Sequence, residues 1–353
     1  MTISNQTITA ILEKACAAPS GDNCQPWRYG FQDDIISVYN IPSRDVSQFN
    51  AKQRASYIAL GAFIENAVVA AAAHQLTGQV TYFPTDPDPN LVALIKLVPN
   101  ADLREPLAQE IDDRCTNRRR YRGGALSAAQ QQALIGSVST FPQARVRIFS
   151  GSDQKRIAQV IGLNDRLVFE NKDLHAFLFD HIRWNAAEAK ETGDGLDIGT
   201  LELAALDDLA FRIFKSYDLV QLFNLMGGSR IIAANARKLA MSAAAIGVIT
   251  MQDTTSQDYL VCGRALERVW LEATHQKLAF QLMTGITCLI GRVMDEDPGS
   301  LNAAHAAMVR EGRQTLSSVI GNDKETPVII FRVGHADPPS VRSLRLPVSI
   351  TSL

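Results

Sequence analysis

The residues best suited to bind a small molecule lie in one short polar loop, Ala18-Pro19-Ser20-Gly21-Asp22-Asn23-Cys24-Gln25-Pro26-Trp27. Pro19 ends a helical pattern and Pro26 starts an extended run, because a proline moves the residue before it out of the α-helical region. The polar residues between the prolines are therefore predicted to face one way on a fixed backbone arc. Such an arc can recognise the polar edge of a planar heterocycle. Taken singly, the same residue types are equally typical of a plain helix-to-strand connection.

A second segment, residues 114–122, holds five arginines in nine residues. A solvated basic turn, a nucleic-acid patch and a phosphate pocket are all compatible with it. Nucleic-acid binding normally uses a wider basic face, and acidic residues (Glu110, Asp112 and Asp113) precede this segment directly. Guanidinium groups bind phosphate oxygens in pairs, and a threonine hydroxyl adds a donor, which favours the phosphate pocket.

The composition excludes several classes of protein. The chain has 353 residues, 46% of them hydrophobic, and a net charge of -2, which gives no reason to expect binding to nucleic acid or to an anionic membrane. Five scattered cysteines predict reduced thiols, and six histidines without metal-ligand spacing predict no metal site. We expect a cytoplasmic protein, since no apolar run is as long as a membrane span and the N-terminus lacks a signal-peptide pattern.

The elements that must position these segments follow from periodicity and turn signals. Helices are predicted at 8–17, 54–75, 104–113, 127–137 and 259–278, and through most of 153–241. Strands are predicted at 27–31, 35–39, 79–83, 91–97, 145–149, 243–251 and 327–333.

The chain also contains an internal repeat. The run Tyr57–Glu65 matches Tyr259–Glu267 at a constant offset of 202 residues, with tyrosine, glycine and glutamate in register. Such self-similarity predicts a duplication whose halves pack together as the subunits of a twofold dimer do. We place the halves at 1–100 and 101–353, with a helical insert at about 153–240 in the second half.

The motifs resemble those of the nitroreductase-like, FMN-binding superfamily. Pro19, Ser20, Asn23, Gln25, Pro26 and Trp27 match its PSxxNxQPW element, and residues 114–121 are similar to the RxTDRRPF run of its internally duplicated branch, which includes flavin-sequestering, dormancy-type members. Asn117 replaces the acid of that run and Arg120 its proline. The closing strand and the basic tail with Arg342 and Arg345 are also similar to the family pattern.

The resemblance implies an α+β, nitroreductase-like fold: two similar halves fused into an intramolecular pseudo-dimer, with mixed or antiparallel sheets surrounded by helices. It also implies cofactor-binding roles. Pro19, Ser20 and Asn23 would contact the isoalloxazine ring, Arg114, Thr116 and Arg118 would hold the phosphate and ribityl chain, and Arg342 and Arg345 would close over the phosphate. No protein residue is predicted to be catalytic, because the flavin carries the chemistry.

The implied function is an FMN-dependent oxidoreductase that passes hydride from NADH or NADPH to a small oxidised acceptor, such as a nitroaromatic or a quinone. A flavin-storing protein without turnover is the main alternative, and a modifying enzyme on the same fold is another. We expect one intact flavin site per chain, because each half retains motifs that the other lacks. Small molecules are the expected partners, and the chain is expected to be either a monomeric pseudo-dimer or a homodimer. Segments 180–184 and 193–196 are candidates for a lid.

Overall fold

The first half of the chain folds as its hydrophobic pattern predicted. In the computed structural model, which describes residues 3–349, Ser4 caps the first helix and Ile8, Ile11 and Leu12 are buried along one side of it. The elements of this half are α1 (Asn5–Cys16), β1 (Trp27–Gln32), β2 (Ile35–Asn40), α2 (Arg54–Ala73), β3 (Leu76–Tyr82) and β4 (Leu91–Pro99). The strands form an antiparallel sheet in the order β1-β2-β4-β3.

The second half repeats this arrangement with two insertions. Its elements are α3 (Ala128–Gly136), β5 (Ala144–Phe149), α4 (Gly151–Glu170), α5 (Lys172–His181), β6 (Ile182–Arg183), α6 (Ala186–Thr192), β7 (Leu196–Asp197), α7 (Ala205–Ile213), α8 (Tyr217–Leu225), α9 (Gly228–Met241), β8 (Ala245–Met251), α10 (Ser256–His275), β9 (Ala279–Leu282), α11 (Gly285–Met294), α12 (Ala303–Ile320) and β10 (Thr326–Gly334). The four long strands form an antiparallel sheet in the order β5-β8-β10-β9.

The two sheets have the same strand order when strands are matched along the chain. The first half joins its first two strands by the turn Asp33-Asp34, where the second half inserts α4 to α9. The second half also inserts α11 and α12 between its last two strands. The expected α+β fold with two similar halves is confirmed.

The repeated helices α2 and α10 are packed against each other at their glycines. A Cβ on Gly61 would lie 2.0 Å from the Leu260 carbonyl oxygen, and a Cβ on Gly263 would lie 2.0 Å from the Ile58 carbonyl oxygen. Residues 58 and 61 are each 202 positions before their counterparts, so the two contacts are equivalent. This reciprocity is the signature of a twofold interface.

Some local predictions need correction. The helix expected at 104–113 is wrong: a short 3-10 turn, Pro106–Glu110, stands there, and the Glu105 side chain accepts a hydrogen bond from the Leu107 backbone N–H. Pro106 cannot donate a backbone hydrogen bond, which limits it to the first turn of a helix. Strand β9 and helices α11 and α12 were not predicted.

One helical stretch, Gln48–Ala73, is long and apolar enough to cross a membrane by length and composition alone. In the structure 78% of its apolar window is buried inside the protein, with α2 covered by α1, α10 and the first sheet. Its apolar character on nearly every side is accounted for by this central position.

Candidate functional site

The polar loop after α1 is a strained and internally braced turn. Gly21–Asn23 form one 3-10 turn, and Asp22, Asn23 and Gln25 have positive φ angles of 44°, 58° and 51°. The Ser20 hydroxyl accepts a hydrogen bond from the Gln25 backbone N–H at 2.9 Å. Non-glycine residues keep such angles only where the surroundings enforce them, so the loop presents its groups in one fixed arrangement.

The C-terminal tail crosses this loop and is bound to it. The Asn23 side-chain amide donates to the Leu344 carbonyl at 3.0 Å, and the Leu346 N–H donates to the Gln25 side-chain carbonyl at 2.9 Å. The Arg345 guanidinium donates to the Asn23 side-chain oxygen at 2.9 Å and to the carbonyls of Ala17 and Ala18, each at 3.2 Å.

Arg114 joins the arginine segment to the same place. Its guanidinium donates to the Ala17 carbonyl, lies 3.0 Å from the Glu267 carboxylate and stacks over Trp270 at 4.6 Å. Arg342 donates to the Arg114 carbonyl at 3.0 Å. Segments near residues 20, 114 and 344 thus meet in one region, which we call the first junction: residues 17–25, Arg114, residues 342–345 and Glu267.

The first junction carries more positive than negative charge. It contains three guanidiniums, those of Arg114, Arg342 and Arg345, and two carboxylates: Glu267, which is fully buried and lies beside Arg114, and Asp22 of the loop, which interacts with Arg118. Burial and the nearby Arg114 lower the pKa of Arg345 to about 10, and its Nε is buried without a hydrogen-bond partner in the described part of the chain. Burial raises the pKa of Glu267 to about 7, against the attraction of Arg114. A phosphate group would supply negative charge here, so the charge of these residues fits a phosphate.

Thr116 and Arg118 are placed differently from the other predicted residues. The Thr116 backbone pairs with Phe280 in strand β9. The Arg118 guanidinium donates to the backbone and side-chain oxygens of Thr200, at 3.3 and 3.4 Å, and burial lowers its pKa while Asp22 opposes that shift. Among residues 3–349, Arg118 has no carboxylate within ion-pair distance.

The helical insert contacts the polar loop, the arginine segment and the C-terminal tail. Gln25 donates to the Gly193 carbonyl at 2.9 Å, and Arg119 lies 3.3 Å from the Glu202 carboxylate. The same carboxylate accepts hydrogen bonds from the backbone N–H and the hydroxyl of Ser340. The stretch from His181 to Glu202, which we call the covering segment, therefore contacts the loop, the arginine segment and the tail.

An open polar cleft of about 290 Å³ remains between the covering segment and the loop. Arg183 lies 2.6 Å and Arg44 lies 3.7 Å from the Asp194 carboxylate, which links the two walls. The remaining residues that line the cleft are Cys24, Ser43, His181 and Gly195. Its volume is at the lower end of the range for small-molecule sites.

The equivalent region of the other half has a different content. Glu65, the counterpart of Glu267, lies 2.7 Å from Arg264 and 2.6 Å from Arg268, and Arg268 also lies 2.7 Å from Glu105. Arg264 further donates to the Tyr82 hydroxyl at 2.6 Å and lies over the Phe141 ring at 5.1 Å. We call this group the second junction; its two arginines face two carboxylates, and aromatic rings fill the space beside them.

The chain has relatives along nearly its whole length. It is 26% identical over 345 residues to an uncharacterised protein of Mycobacterium tuberculosis (strain CDC 1551 / Oshkosh), covering 96% of this chain and 47% of that protein. It therefore spans about half the length of that relative. It is 24% identical over 355 residues to a protein of the same organism named "Putative NAD(P)H nitroreductase acg", covering 96% of this chain and 92% of the relative. The chain is thus similar along nearly its whole length to a protein named as a putative nitroreductase.

Other comparisons are more distant. A nitroreductase structure with bound FMN from Bacteroides fragilis NCTC 9343 is 9% identical and aligns with a TM-score of 0.39 over 71% of this chain and 100% of its own. No family model matches the chain.

Asn117, which replaces the aspartate of the RxTDRRPF pattern, makes the hydrogen bonds of a local turn. Its side-chain oxygen accepts a hydrogen bond from the Arg119 N–H at 3.1 Å, as an aspartate would, and its amide donates to the Asp337 carbonyl at 2.8 Å. Asn117 therefore both supports the turn and binds the arginine segment to the tail.

Arg332, which was not predicted from the sequence, binds the backbone of the arginine segment. It is fully buried in β10, stacks on Tyr121 at 3.9 Å and donates to the carbonyls of Asn117 and Arg119 at 3.3 and 2.7 Å. Burial lowers its pKa to about 10. The sequence did offer a signal for this role: Arg332 is a lone arginine inside the apolar run Val328–Val333. A charge buried in such a run requires polar partners.

Proposed function

We propose that this chain binds one FMN at the first junction and acts as an FMN-dependent NAD(P)H oxidoreductase of the nitroreductase type. The observation that carries the proposal is the excess of guanidinium groups where the three motif segments meet. A site with more guanidiniums than carboxylates favours an anionic ligand, and arginine matches the geometry of phosphate. The relative named as an NAD(P)H nitroreductase supports the reductant and the reaction class.

The proposed roles follow the contacts. Arg342 and Arg345 would bind the phosphate, and Arg114, held by Glu267 and Trp270, would orient Arg342 through its backbone carbonyl. Pro19, Ser20 and Asn23 belong to the rigid loop that would face the ring, while Thr116 and Arg118 would line the path between loop and insert. FMN, when bound, supplies a two-electron acceptor and donor; the protein residues bind it, orient it and limit the access of water.

A flavin-holding protein without turnover is the second candidate, and the covering segment favours it. Gly193 and Glu202 bind the loop and the tail from above, and the polar cleft beside them is small. A nicotinamide and an aromatic acceptor would both need this space. For either function we propose a cytoplasmic protein whose partners are small molecules, among them a nitroaromatic or quinone-like acceptor.

The first experiment is a flavin analysis of the purified protein. We expect a yellow protein that releases FMN and not FAD on denaturation, with one FMN per chain. Colourless protein that does not bind added FMN would refute both candidates, and two FMN per chain would contradict the assignment to the first junction alone.

The second experiment separates the two candidates by turnover. NADPH oxidation is measured with menadione or a nitroaromatic, in the wild type and in Glu202→Gln, which weakens the contact of the covering segment with Ser340 and Arg119. Turnover in the wild type supports the oxidoreductase. A flavin-loaded wild type without turnover, together with a variant that turns over, identifies a flavin-holding protein closed by its insert.

A further inference from the structure

Helix α10 supplies the positive charge of the second junction. Arg264 and Arg268 are four residues apart, so they lie on the same side of the helix. Their guanidiniums lie 2.7 and 2.6 Å from the carboxylate of Glu65 in α2. Glu65 is 1% exposed, and two ion pairs from one neighbouring helix compensate its buried charge.

Helix α2 does not supply the same charge to the first junction. The offset of 202 residues makes Ala62 and Asn66 the counterparts of the two arginines. By the same twofold relation, both positions lie toward Glu267, the counterpart of Glu65. Asn66 thus stands where an arginine of the helix would otherwise pair with Glu267. The Glu267 carboxylate instead lies 3.0 Å from Arg114, which belongs to neither helix.

The Asn66 amide is completely buried in this setting. Its exposed fraction is 0%, and neither of its polar atoms has a hydrogen bond of normal geometry within residues 3–349. An amide buried in this way costs free energy that leucine would avoid. The charged group beside the amide is the Glu267 carboxylate, which is also 0% exposed. The presence of the amide is accounted for if it stabilises the charge of that carboxylate.

The charged groups around Glu267 come from three elements. Arg114 of the arginine segment and Arg345 of the tail attract a negative charge there, whereas Glu65 of α2 repels it. Burial raises the pKa of Glu267 to about 7, and Arg114 and the Asn66 amide oppose this rise. An amide N–H directed at a carboxylate favours the ionised form. Asn66 therefore acts in the same direction as the arginines without adding a charge.

We propose that Asn66 is a positioning residue of the first junction, which holds the Glu267 carboxylate in its ionised form beside Arg114. An arginine in place of Asn66 would pair with Glu267 and compete with Arg114 for it. The amide leaves Glu267 available to Arg114, whose backbone carbonyl in turn accepts a hydrogen bond from Arg342. The proposal concerns the protein alone, and only its consequence for FMN rests on the proposed function.

The test is the unfolding equilibrium of Asn66→Leu relative to the wild type, measured on the full chain by urea denaturation at pH 6 and pH 8. Leucine has the branching of asparagine but lacks the amide, so the pKa of Glu267 should move upward. We expect the unfolding constant of the variant, divided by that of the wild type, to rise between pH 6 and pH 8. The rise is limited to about tenfold, because pH 8 lies one unit above the wild-type pKa.

The matched control is the same substitution in a Glu267→Gln background. Any packing cost of leucine is independent of pH and should persist there, whereas the pH dependence should vanish because residue 267 no longer ionises. Asn66→Ala is the second variant, since it removes the amide without adding volume. A ratio that is equal at pH 6 and pH 8 for both substitutions overturns the proposal. A pH dependence that persists in the Glu267→Gln background overturns it as well.

The consequence for FMN follows from the same charge. An ionised Glu267 opposes the binding of an anion, and in Asn66→Leu this carboxyl should stay protonated to a higher pH. Flavin fluorescence titration should therefore give a ratio of variant Kd to wild-type Kd that is lower at pH 8 than at pH 6. An equal ratio contradicts this consequence. A chain that does not bind FMN refutes the proposed function, whereas the stability comparison still tests the role of Asn66.

Discussion

The two junctions occupy equivalent positions in the two halves, yet their charges differ. The first junction holds three arginines and two carboxylates, Glu267 and Asp22, and one guanidinium nitrogen of Arg345 lacks a partner in the described chain. Around Glu65, two arginines face two carboxylates. Glu267 and Glu65 hold equivalent positions on their helices, yet Glu267 belongs to a region with surplus positive charge and Glu65 to a neutral one.

This difference shows how a duplicated scaffold can specialise. The neutral second junction pairs its own charges, and its Arg264 also contacts Tyr82 and Phe141, so it has no surplus of positive charge to attract an anion. The first junction keeps a surplus of positive charge that folding leaves uncompensated. One anion site per chain is therefore the expectation from electrostatics as well as from the motifs.

The largest expected effect tests the symmetry on which the comparison depends. Gly61→Ala and Gly263→Ala should each lower the free energy of unfolding by about 3 kcal/mol or more, because the new methyl group would meet a backbone carbonyl that cannot move aside. Urea denaturation followed by circular dichroism measures both values. Equal losses fit a twofold contact; a loss at one position alone would contradict it.

Gly136→Ala is the matched control for these two changes. Gly136 is the last residue of α3, and a Cβ there would meet no atom within 4 Å. Alanine has a higher helix propensity than glycine, so this variant should be neutral or up to about 1 kcal/mol more stable. The opposite sign separates steric exclusion between α2 and α10 from any general effect of replacing glycine.

The next effect distinguishes the junctions by their roles. Glu65→Gln should cost about 2–3 kcal/mol of stability, because Arg264 and Arg268 lose their shared charged partner in a buried setting. Its FMN affinity should stay at the wild-type value, since the second junction is not proposed to bind the cofactor. Thermal denaturation and flavin fluorescence titration measure the two quantities; a variant that loses FMN while remaining stable would reverse the assignment.

The sequence predicted the fold better than it predicted the individual contacts of the site. The offset between Tyr57–Glu65 and Tyr259–Glu267 identified the two central helices, since a duplicated core keeps its small and charged residues in register. The helix expected at 104–113 failed because Pro106 restricts a helix to one short turn. A periodicity of 3.6 residues indicates which side of a helix is buried. It does not show where a proline ends the helix.

The site itself depends on contacts that no local pattern encodes. Gln25 meets Gly193 across 168 residues, and Arg114 is bound to Glu267 rather than left open toward a ligand. A motif indicates that an arginine belongs to the site, but packing decides which neighbour takes its charge. Replacement of Arg114 would therefore leave the buried Glu267 carboxylate without its partner and would destabilise the fold. A loss of FMN in that variant would not distinguish weaker binding from lower stability.

Arg342 offers the cleaner test of the cationic junction. It is exposed, and within the described part of the chain its side chain makes one hydrogen bond, to the Arg114 carbonyl, so Arg342→Ala should leave stability nearly unchanged. Loss of a charged hydrogen bond to phosphate corresponds to about 1.5–3 kcal/mol, or roughly a 10- to 150-fold higher Kd for FMN. Arg120→Ala removes an equally exposed charge from the arginine segment and should change the Kd little. If both variants raised the Kd equally, the arginines would act on FMN only through long-range electrostatic attraction and not through a contact with the phosphate.

The smallest expected effect is a pH dependence specific to Glu267. Burial raises the pKa of this carboxyl to about 7, so in the folded protein it loses its charge as the pH falls through that value. The net positive charge of the first junction then increases, and FMN should bind more tightly at pH 6 than at pH 8. A coupling of one pKa unit is worth about 1.4 kcal/mol, which limits the change to about tenfold.

The variant Glu267→Gln isolates this component, because its side chain is neutral at every pH. Ionisation of the FMN phosphate near pH 6 acts in the opposite direction, but equally in both proteins, so the ratio of their Kd values removes it. The ratio of wild type to variant should rise between pH 6 and 8. Wild-type stability should fall relative to the variant between about pH 4.5 and pH 7 and level off above, because in that window the folded state retains a proton that the unfolded state has released. A ratio of Kd values that is flat between pH 6 and 8 would show that the buried carboxylate does not sense the anion, and the first junction would then be no more than a second structural cluster.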